Sequence, residues 1–454
     1  MRRATSILLL IAITTTGLAF LGSRSPGSDE VAYQGMRAQS WADGLLSEDH
    51  TVRAKSESAL RSMGGAAVPS LVRLIRQKPF PGQTALEKVL PHVPFLHVRF
   101  ANHQPARAEA VRLLGEVGMT NPLASRTLVE ALGDPNDRVQ SAAFHGIQRM
   151  GSTALPPLIS SLSSGGAESR IRSAEILGMM KLADPAVLDA LQKSTSDRQP
   201  EMRAAAVQAL ASLAVGSTNQ FGLFSGLLED PSPLVRCAAI GALVRNYPPQ
   251  PALQTLLRRK LEDSDPVVRV EAARSLKVLN EPSARLIPIL LEAMNHADAG
   301  WKAAFALGDF GREAAAAVPA LITRLKAERT DRPLRTPPSS AIALGRIGAP
   351  SVPALTELLQ RTNGLVRLNA VIALGYIGAE AAPAVADLIP LLSNTEPDLR
   401  QAAALSLGNI APMTAELKPV LIDLVREDDI LTSSSALALL EKIDPEGARE
   451  FEPK

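Results

Sequence analysis

The chain has 454 residues, enough for several ordinary domains. Aromatic residues make up only 3% of it, which excludes large aromatic cores, while its many alanines and leucines favour helix. The 48 basic and 46 acidic side chains nearly cancel, which argues against a protein held to polyanions by overall charge. The single cysteine, Cys237, excludes an internal disulfide framework and a cysteine-based zinc site.

Residues 1–22 have the pattern of an export signal. Arg2 and Arg3 precede an apolar run at 7–22, which is short for a stable span of about 20 apolar residues. No A-x-A site follows the run, so a cleaved signal peptide and a retained signal anchor both stay open. Residues 23–36 are then expected to form a flexible linker and lead-in. We expect export to the periplasm or cell envelope, with the chain either released or anchored in the inner membrane by residues 7–22.

One pattern recurs from residue 37 to residue 446. "LVRCAAIGAL" (234–243) has a counterpart 33 residues earlier, "EMRAAAVQAL" (201–210), and another 33 residues later, "VVRVEAARSL" (267–276). Apolar residues at helical spacing lead in each copy to one aliphatic residue. Twelve copies align on that position: Leu60, Leu114, Ile147, Leu177, Leu210, Leu243, Leu276, Leu307, Leu344, Leu374, Leu407 and Leu440.

Each copy predicts two helices joined by a turn. Glycines such as Gly118, Gly311, Gly348 and Gly378 stand where a left-handed residue would end the first helix. Proline then stands at the first turn of the second helix, as in "AVPSL" at 67–71, where its missing N–H is tolerated. One such pair cannot cover its own apolar face, so neighbouring pairs must stack. The expected fold is all-α: an α-α superhelix of about twelve helix pairs.

The consensus "D-P-x-x-x-V-R-x-x-A-a-x-A-L-G-x-I-G…a-v-P-x-L" resembles the HEAT repeat, in the short form shared with bilin-lyase-like repeat families. The lead-in, with Tyr33, Gly35 and Trp41, resembles that of exported bacterial HEAT-repeat proteins. The resemblance implies an α-solenoid and gives little information about function.

In the HEAT family, recurring arginines and aspartates form a ladder between adjacent repeats. The resemblance therefore implies a structural role for this set: Arg53, Arg107, Arg170, Arg203, Arg236, Arg269, Arg367, Arg400, Asp197, Asp230 and Asp263. Some copies depart from the pattern, since Gln140, Gly300 and Pro337 stand where the arginine is expected.

Three stretches interrupt or end the array. An insertion at 79–105, between the first two copies, contains His92, His97 and His103, whose spacing does not place them on one helical face. An irregular loop is expected at 328–338 and a C-terminal tail at 447–454.

The sequence contains no nucleophile elbow, zincin, P-loop or dinucleotide motif, so we predict no enzyme, no cofactor and no metal. Charges alternate in sign along the second helices, which argues against nucleic acid. We expect an unidentified protein partner and a membrane contact only through an uncleaved N-terminal segment. The search for a binding surface starts at Arg73, Arg76, Arg258, Arg259, Arg324 and Glu357.

The resulting prediction is a non-enzymatic protein-interaction scaffold. The alternative is a repeat-family enzyme or a ligand- or chromophore-binding protein of the bilin-lyase type, with the 79–105 insertion as its special site.

Overall fold

The computed structural model describes most of the repeat array. It covers residues 32–77, 103–213, 218–329, 334–362, 364–410, 417–426 and 430–451. The predicted export signal and most of the 79–105 insertion, with His92 and His97, lie outside these ranges. The chain divides into two compact units, Met1–Asp197 and Arg198–Lys454, which we describe separately.

Unit 1 opens with a small hairpin. Strands β1 (Ala32–Tyr33) and β2 (Met36–Arg37) pair antiparallel. Gln34 and Gly35 between them both have positive φ, as a two-residue hairpin turn requires. Helix α1 (Ala38–Gly44) follows, and its Trp41 is 92% buried, with Nε1 donating to the Tyr33 carbonyl at 3.2 Å. Trp41 therefore ties the lead-in to the first repeat.

In the part of unit 1 that the structure describes, four helix pairs follow. Their first helices are α2 (His50–Met63), α4 (His103–Val117), α6 (Asp137–Met150) and α8 (Ala167–Met180). Their second helices are α3 (Val68–Arg76), α5 (Pro122–Ala131), α7 (Leu155–Ser164) and α9 (Pro185–Ser194). The second helices contact one another in chain order and so form one row. The last three residues of the expected 79–105 insertion are the first turn of α4.

The described residues of unit 2 form eight further pairs. Its first helices are α10 (Pro200–Leu213), α12 (Pro233–Asn246), α14 (Pro266–Val278), α16 (Gly300–Gly308), α18 (Ser339–Ile347), α20 (Gly364–Ile377), α22 (Pro397–Ile410) and α24 (Ile430–Ile443). Its second helices are α11 (Thr218–Leu227), α13 (Pro251–Lys260), α15 (Ser283–Ala293), α17 (Val318–Ala327), α19 (Val352–Arg361), α21 (Val385–Leu388), α23 (Leu417–Val425) and α25 (Pro445–Ala448). Successive first helices contact each other along the whole of unit 2.

The architecture is the expected all-α superhelix of stacked helix pairs. Helix α25 continues past the boundary expected at residue 446, because Ala448 is buried against the preceding helix.

The predicted turn chemistry is confirmed at three of four glycines. Gly311, Gly348 and Gly378 have positive φ and stand where the first helix gives way to a 3₁₀ turn. Gly118 was placed wrongly in this group. Its φ is not positive, and a Cβ there would lie 2.4 Å from the Cβ of Ala124, so close packing requires the glycine.

Small residues let the first helices approach closely. A Cβ on Gly115 of α4 would lie 2.5 Å from the Cα of Gly146 in α6. A Cβ on Gly345 of α18 would meet the Cβ of Tyr376 in α20 in the same way. Gly115 and Gly345 directly follow the repeated aliphatic anchor and Gly146 directly precedes it, so these glycines lie at the helix contacts rather than at helix ends. Larger side chains at these positions would separate neighbouring repeats.

The stretch Gly364–Leu392 is apolar and long enough to cross a membrane by composition and length. It is a helix pair rather than one straight helix, because Gly378, with a φ of +69°, begins a 3₁₀ turn between α20 and α21. Its buried residues, such as Leu374 and Leu388, belong to the stacked core.

Candidate protein-interaction surface and the ion ladder

Arginines on the first helices bind aspartates of the following repeat. In unit 2, Arg203 holds Asp230 with two bonds, from Nη2 at 2.6 Å and from Nε at 2.9 Å. Arg236 holds Asp263 through Nη2 at 2.6 Å. All four side chains are at most 14% exposed. The two ion pairs therefore lie between repeats and link them.

Unit 1 contains two pairs of the same kind. Arg107 binds Asp134, and Arg170 lies 2.5 Å from Asp197. Each pair again joins residues 27 positions apart, the spacing seen in unit 2.

Ladder arginines also bind the backbone of their own repeat. Arg236 Nη1 donates to the Asp230 carbonyl at 2.9 Å, in the turn that precedes its helix. The equivalent bonds run from Arg53 to the Ser47 carbonyl, from Arg269 to the Asp263 carbonyl and from Arg400 to the Asn394 carbonyl. These four arginines thus fix the turn leading into their own first helices.

The ladder aspartates also organise that turn. Asp230 accepts from the Ser232 amide at 2.9 Å, and Asp263 accepts from the Asp265 amide at 3.0 Å. Burial raises the pKa of Asp230, but the bonds from Arg203 and from the Ser232 amide outweigh it, so its pKa lies below the ordinary 3.8. The pKa of Asp263 is lowered against burial in the same way, chiefly by Arg236. Both groups are therefore held as carboxylates.

Gln140 keeps half of the arginine's role. Its Nε2 donates to the Asp134 carbonyl at 2.7 Å, as a ladder arginine would. The residue 27 positions later is Ala167, which offers no carboxylate to bind. The charge and its partner are absent together, so no buried charge is left unpaired.

A second-helix arginine replaces the missing ladder arginine of the eighth repeat. A Cβ on Gly300 would lie 2.5 Å from Nη1 of Arg324, so the guanidinium occupies the space beside this position. Nη1 donates to the Met294 carbonyl at 3.2 Å, and Nε binds Glu328 at 2.8 Å. Arg324, which the sequence suggested as a surface residue, therefore holds the repeats together.

Glu328 then takes over the task of a ladder aspartate. It accepts from Ser339 Oγ at 2.7 Å and from the Ser340 amide at 3.2 Å, at the start of α18. Helix α18 lacks the ladder arginine because Pro337 stands at that position. The irregular loop expected at 328–338 thus carries a capping carboxylate at its first residue.

The other suggested surface residues of unit 2 are either bound between repeats or exposed to solvent. Arg258 makes a bidentate pair with Glu281, whose side chain is only 3% exposed, and this bond lowers the pKa of Glu281. Arg259 and Glu357 are exposed on their second helices. Arg258 belongs to the stacking contacts, whereas Arg259 and Glu357 face outward.

In unit 1, Arg73 and Arg76 are exposed and paired. Arg73 donates to Gln39 of α1 at 2.9 Å, and Arg76 binds Glu130 of α5 at 2.8 Å. The pair of Arg76 joins opposite charges on neighbouring second helices, which agrees with the alternating signs expected from the sequence.

A groove of about 960 Å³ lies between α4 and α6 on the first-helix side of unit 1. Arg112 lines it and is held by Glu109, Glu116 and Glu57. These carboxylates neutralise the arginine, so the groove wall carries no uncompensated charge at this residue.

The described residues contain no group of three histidine, cysteine or acidic side chains placed to hold a metal ion. His103 starts α4, and its side chain is not among those described. Cys237 is largely buried, and burial raises the pKa of its thiol to about 12, which keeps it protonated and unreactive at neutral pH.

Comparison with protein-family models identifies the repeat. The model described as HEAT repeats matches residues 222–302 and 352–441, and that of a HEAT repeat associated with sister chromatid cohesion matches residues 177–210. The matched residues are therefore similar to HEAT repeats, in agreement with the stacked helix pairs. No curated protein matches it.

Solved structures share the fold at low identity. Yeast importin-β (Kap95p) aligns with a TM-score of 0.52 and 15% identity, over 92% of this chain and 62% of importin-β. Kap95p in its complex with Nup1 gives a TM-score of 0.51 at 15% identity, over 92% of this chain and 62% of Kap95p. The chain thus spans less than two thirds of these structures, and the likeness shows the fold alone.

The lowered pKa of Asp230 predicts a pH-dependent stability. The folded pKa lies below the unfolded value, so the stabilisation is present above about pH 4 and is lost as the pH falls through the folded pKa. We expect Asp230→Asn to lower the free energy of unfolding by roughly 1–3 kcal/mol at pH 7 and by less at pH 3, which lies below the unfolded pKa. Urea unfolding at both pH values measures this. Glu262→Gln, an exposed neighbour of the ladder, should have little effect at either, and an equal loss for Asp230→Asn at both pH values would contradict the ladder role.

The placement of Arg324 predicts a difference between two arginines of the suggested surface. Arg324→Ala removes the bonds to Glu328 and Met294 and leaves a space beside Gly300, so it should lower the free energy of unfolding by roughly 2 kcal/mol. Arg259→Ala removes an exposed side chain and should change it by less than about 0.5 kcal/mol. Thermal and urea unfolding of both variants measure this. Equal stability of the two would show that Arg324 is a surface residue after all.

Proposed function

We propose that the chain is a non-enzymatic protein-interaction scaffold, exported or tethered to a membrane, that binds a partner protein on its second helices. The first helices stack closely and the ladder fixes the turns between repeats. Stacking therefore uses the first helices and the inner faces of the second helices. The outward faces of the second helices are exposed, so a partner can contact them.

The proposal rests on the second helices of unit 2, whose side chains alternate between the core and solvent. In α13, Leu257 and Lys260 are buried while Arg259 between them is exposed. In α19, Leu355 and Leu358 are buried while Glu357 is exposed. Each outward residue stands on a helix held rigid by its core contacts. Rigid presentation lowers the ordering entropy of binding.

The solved structures support this use of the fold. Kap95p binds RanGDP, and Kap95 forms a complex with Nup1. A repeat array of this architecture offers an extended surface of many repeats, which suits a large partner. The partner of this chain is a separate question, since the likeness is at 15% identity.

Export is the second element of the proposal, and it has its own test. Residues 1–30 fused to a reporter that is active only outside the cytoplasm should give activity, because the arginines followed by an apolar run have the pattern of an export signal. Exchanging Leu8, Leu9 and Leu10 for charged residues should abolish the activity. An inactive wild-type fusion would overturn the export proposal and leave the scaffold proposal intact.

Site-specific photo-cross-linking tests the binding surface. A photoreactive residue at position 259 or 357 should capture one and the same protein in the native host, because both positions face outward on second helices. The matched controls are Arg245 and Leu405, which are exposed on first helices and should not capture it.

Capture from the first-helix controls alone would reverse the assignment of the surface. A stoichiometric metal or pigment in the protein purified from its host, with no captured protein, would favour the enzyme or chromophore-binding alternative.

A further inference from the structure

The residues that complete the ladder can be located by backbone geometry. In each case a residue shortly after the second helix donates its amide to the carbonyl three residues earlier. Four residues of unit 2 make this bond: Asp230, Asp263, His296 and Asn394. Each lies 27 positions after a ladder arginine, namely Arg203, Arg236, Arg269 and Arg367. We call each pair of a ladder arginine and the residue 27 positions later a rung. Two of these rungs end in an aspartate, Asp230 or Asp263, and we call them closed. The other two end in His296 and Asn394.

In the closed rungs the aspartate takes the Nη2 edge of the arginine. Nη2 of Arg203 and Nη2 of Arg236 each lie 2.6 Å from a carboxylate oxygen. A charge-assisted bond of this length is among the stronger hydrogen bonds in proteins. The protein itself thus shows which ligand the rung position accepts.

The rung of Arg269 is only partly closed. His296 stands at the aspartate position and is exposed. Nη2 of Arg269 instead reaches Glu292 at 3.4 Å, and the side chain of Glu292 is 69% exposed. An exposed pair at this distance contributes little, so the arginine, with a side chain only 14% exposed, lacks a strong counter-charge.

The rung of Arg367 is open. Its guanidinium makes no ion pair or hydrogen bond with any residue that the structure describes, and its Nε is buried. Asn394 occupies the aspartate position and keeps the aspartate's other task, since its Oδ1 accepts from the Glu396 amide at 3.0 Å. The turn is therefore formed as in a closed rung, and only the negative charge is absent.

We propose that the open rung at Arg367 and the partly closed rung at Arg269 bind carboxylate side chains of an acidic polypeptide segment of the partner. This inference rests on the proposed scaffold function and specifies the chemistry of its partner. A half-buried cation gains most from a ligand of opposite charge that replaces its lost water contacts. The partner's glutamate or aspartate would complete a rung that this chain completes elsewhere with its own aspartates.

A carboxylate fits this position better than a phosphate. The two closed rungs of unit 2 hold a planar carboxylate between the arginine and the amide of the next turn. The same turn is preserved around Asn394. The near-balanced charge of the chain also provides no general attraction for a polyphosphate or a nucleic acid.

Isosteric substitution gives the sharpest test. Asn394→Asp adds the missing charge without changing the shape of the side chain, so it should close the rung. With the full chain and a labelled twelve-residue peptide rich in glutamate, we expect it to weaken binding at least tenfold and to raise the melting temperature. Arg367→Gln should weaken binding to a similar degree. Arg245→Gln, which removes a charge from an exposed position on a first helix, is the matched control and should leave binding unchanged.

His296→Asp tests the second rung in the same way, and the combination with Asn394→Asp should remove binding entirely. The neutral peptide with glutamine in place of glutamate should not bind to any of these proteins. Unchanged affinity of Asn394→Asp or of Arg367→Gln for the acidic peptide would overturn the proposal, even if Asn394→Asp raised the melting temperature.

Two further results separate this inference from other outcomes. The same variants are also tested with an oligonucleotide of matched charge. If the substitutions weakened its binding as much as they weaken binding of the acidic peptide, the site would be a phosphate site and the assignment to an acidic polypeptide would be wrong. Failure of the acidic peptide to bind, while cross-linking at position 259 still captures a protein, would refute the inference and leave the scaffold function standing. Binding of the acidic peptide without any protein captured at position 259 would refute the scaffold function and leave the inference about the rungs standing.

Discussion

The structure depends on one constraint, which is that a single helix pair has an apolar face it cannot cover. The face is closed only when the next pair stacks against it, and the contact must be close because alanine, leucine and glycine make up most of it. The approach of Gly115 to Gly146 shows how little room is left between first helices. The fold, the repeat spacing and the low aromatic content all follow from this requirement.

The ion ladder fixes the position of each repeat relative to the next. Apolar stacking alone would tolerate small slips between repeats, whereas a bidentate bond such as that of Arg203 to Asp230 fixes the register. Where the ladder arginine is missing, the chain restores an equivalent contact with Arg324 and Glu328 from other parts of the repeat. The turn into this first helix is therefore held by a side-chain bond as in other repeats, although a different element supplies it.

Much of the fold could be predicted from the sequence because periodicity reports burial directly. The helix pairs and the left-handed Gly311, Gly348 and Gly378 follow from local pattern. Gly118 was missed because a glycine needed for close approach looks the same in sequence as one needed for positive φ. The role of Arg324 could not be predicted for a related reason. Its guanidinium lies beside Gly300, which is 24 residues away in the sequence. The only indication in the sequence was that Gly300 stands where a ladder arginine is expected.

The binding site is harder to predict because the same residue type serves both stacking and recognition. An arginine on the ladder is structural when an aspartate stands 27 residues later and available to a ligand when an asparagine stands there, as for Arg367 and Asn394. The difference is one atom in a side chain far along the sequence. In a solenoid, where every repeat offers the same frame, such a local departure from the repeat is the place where specificity can arise without disturbing the stack.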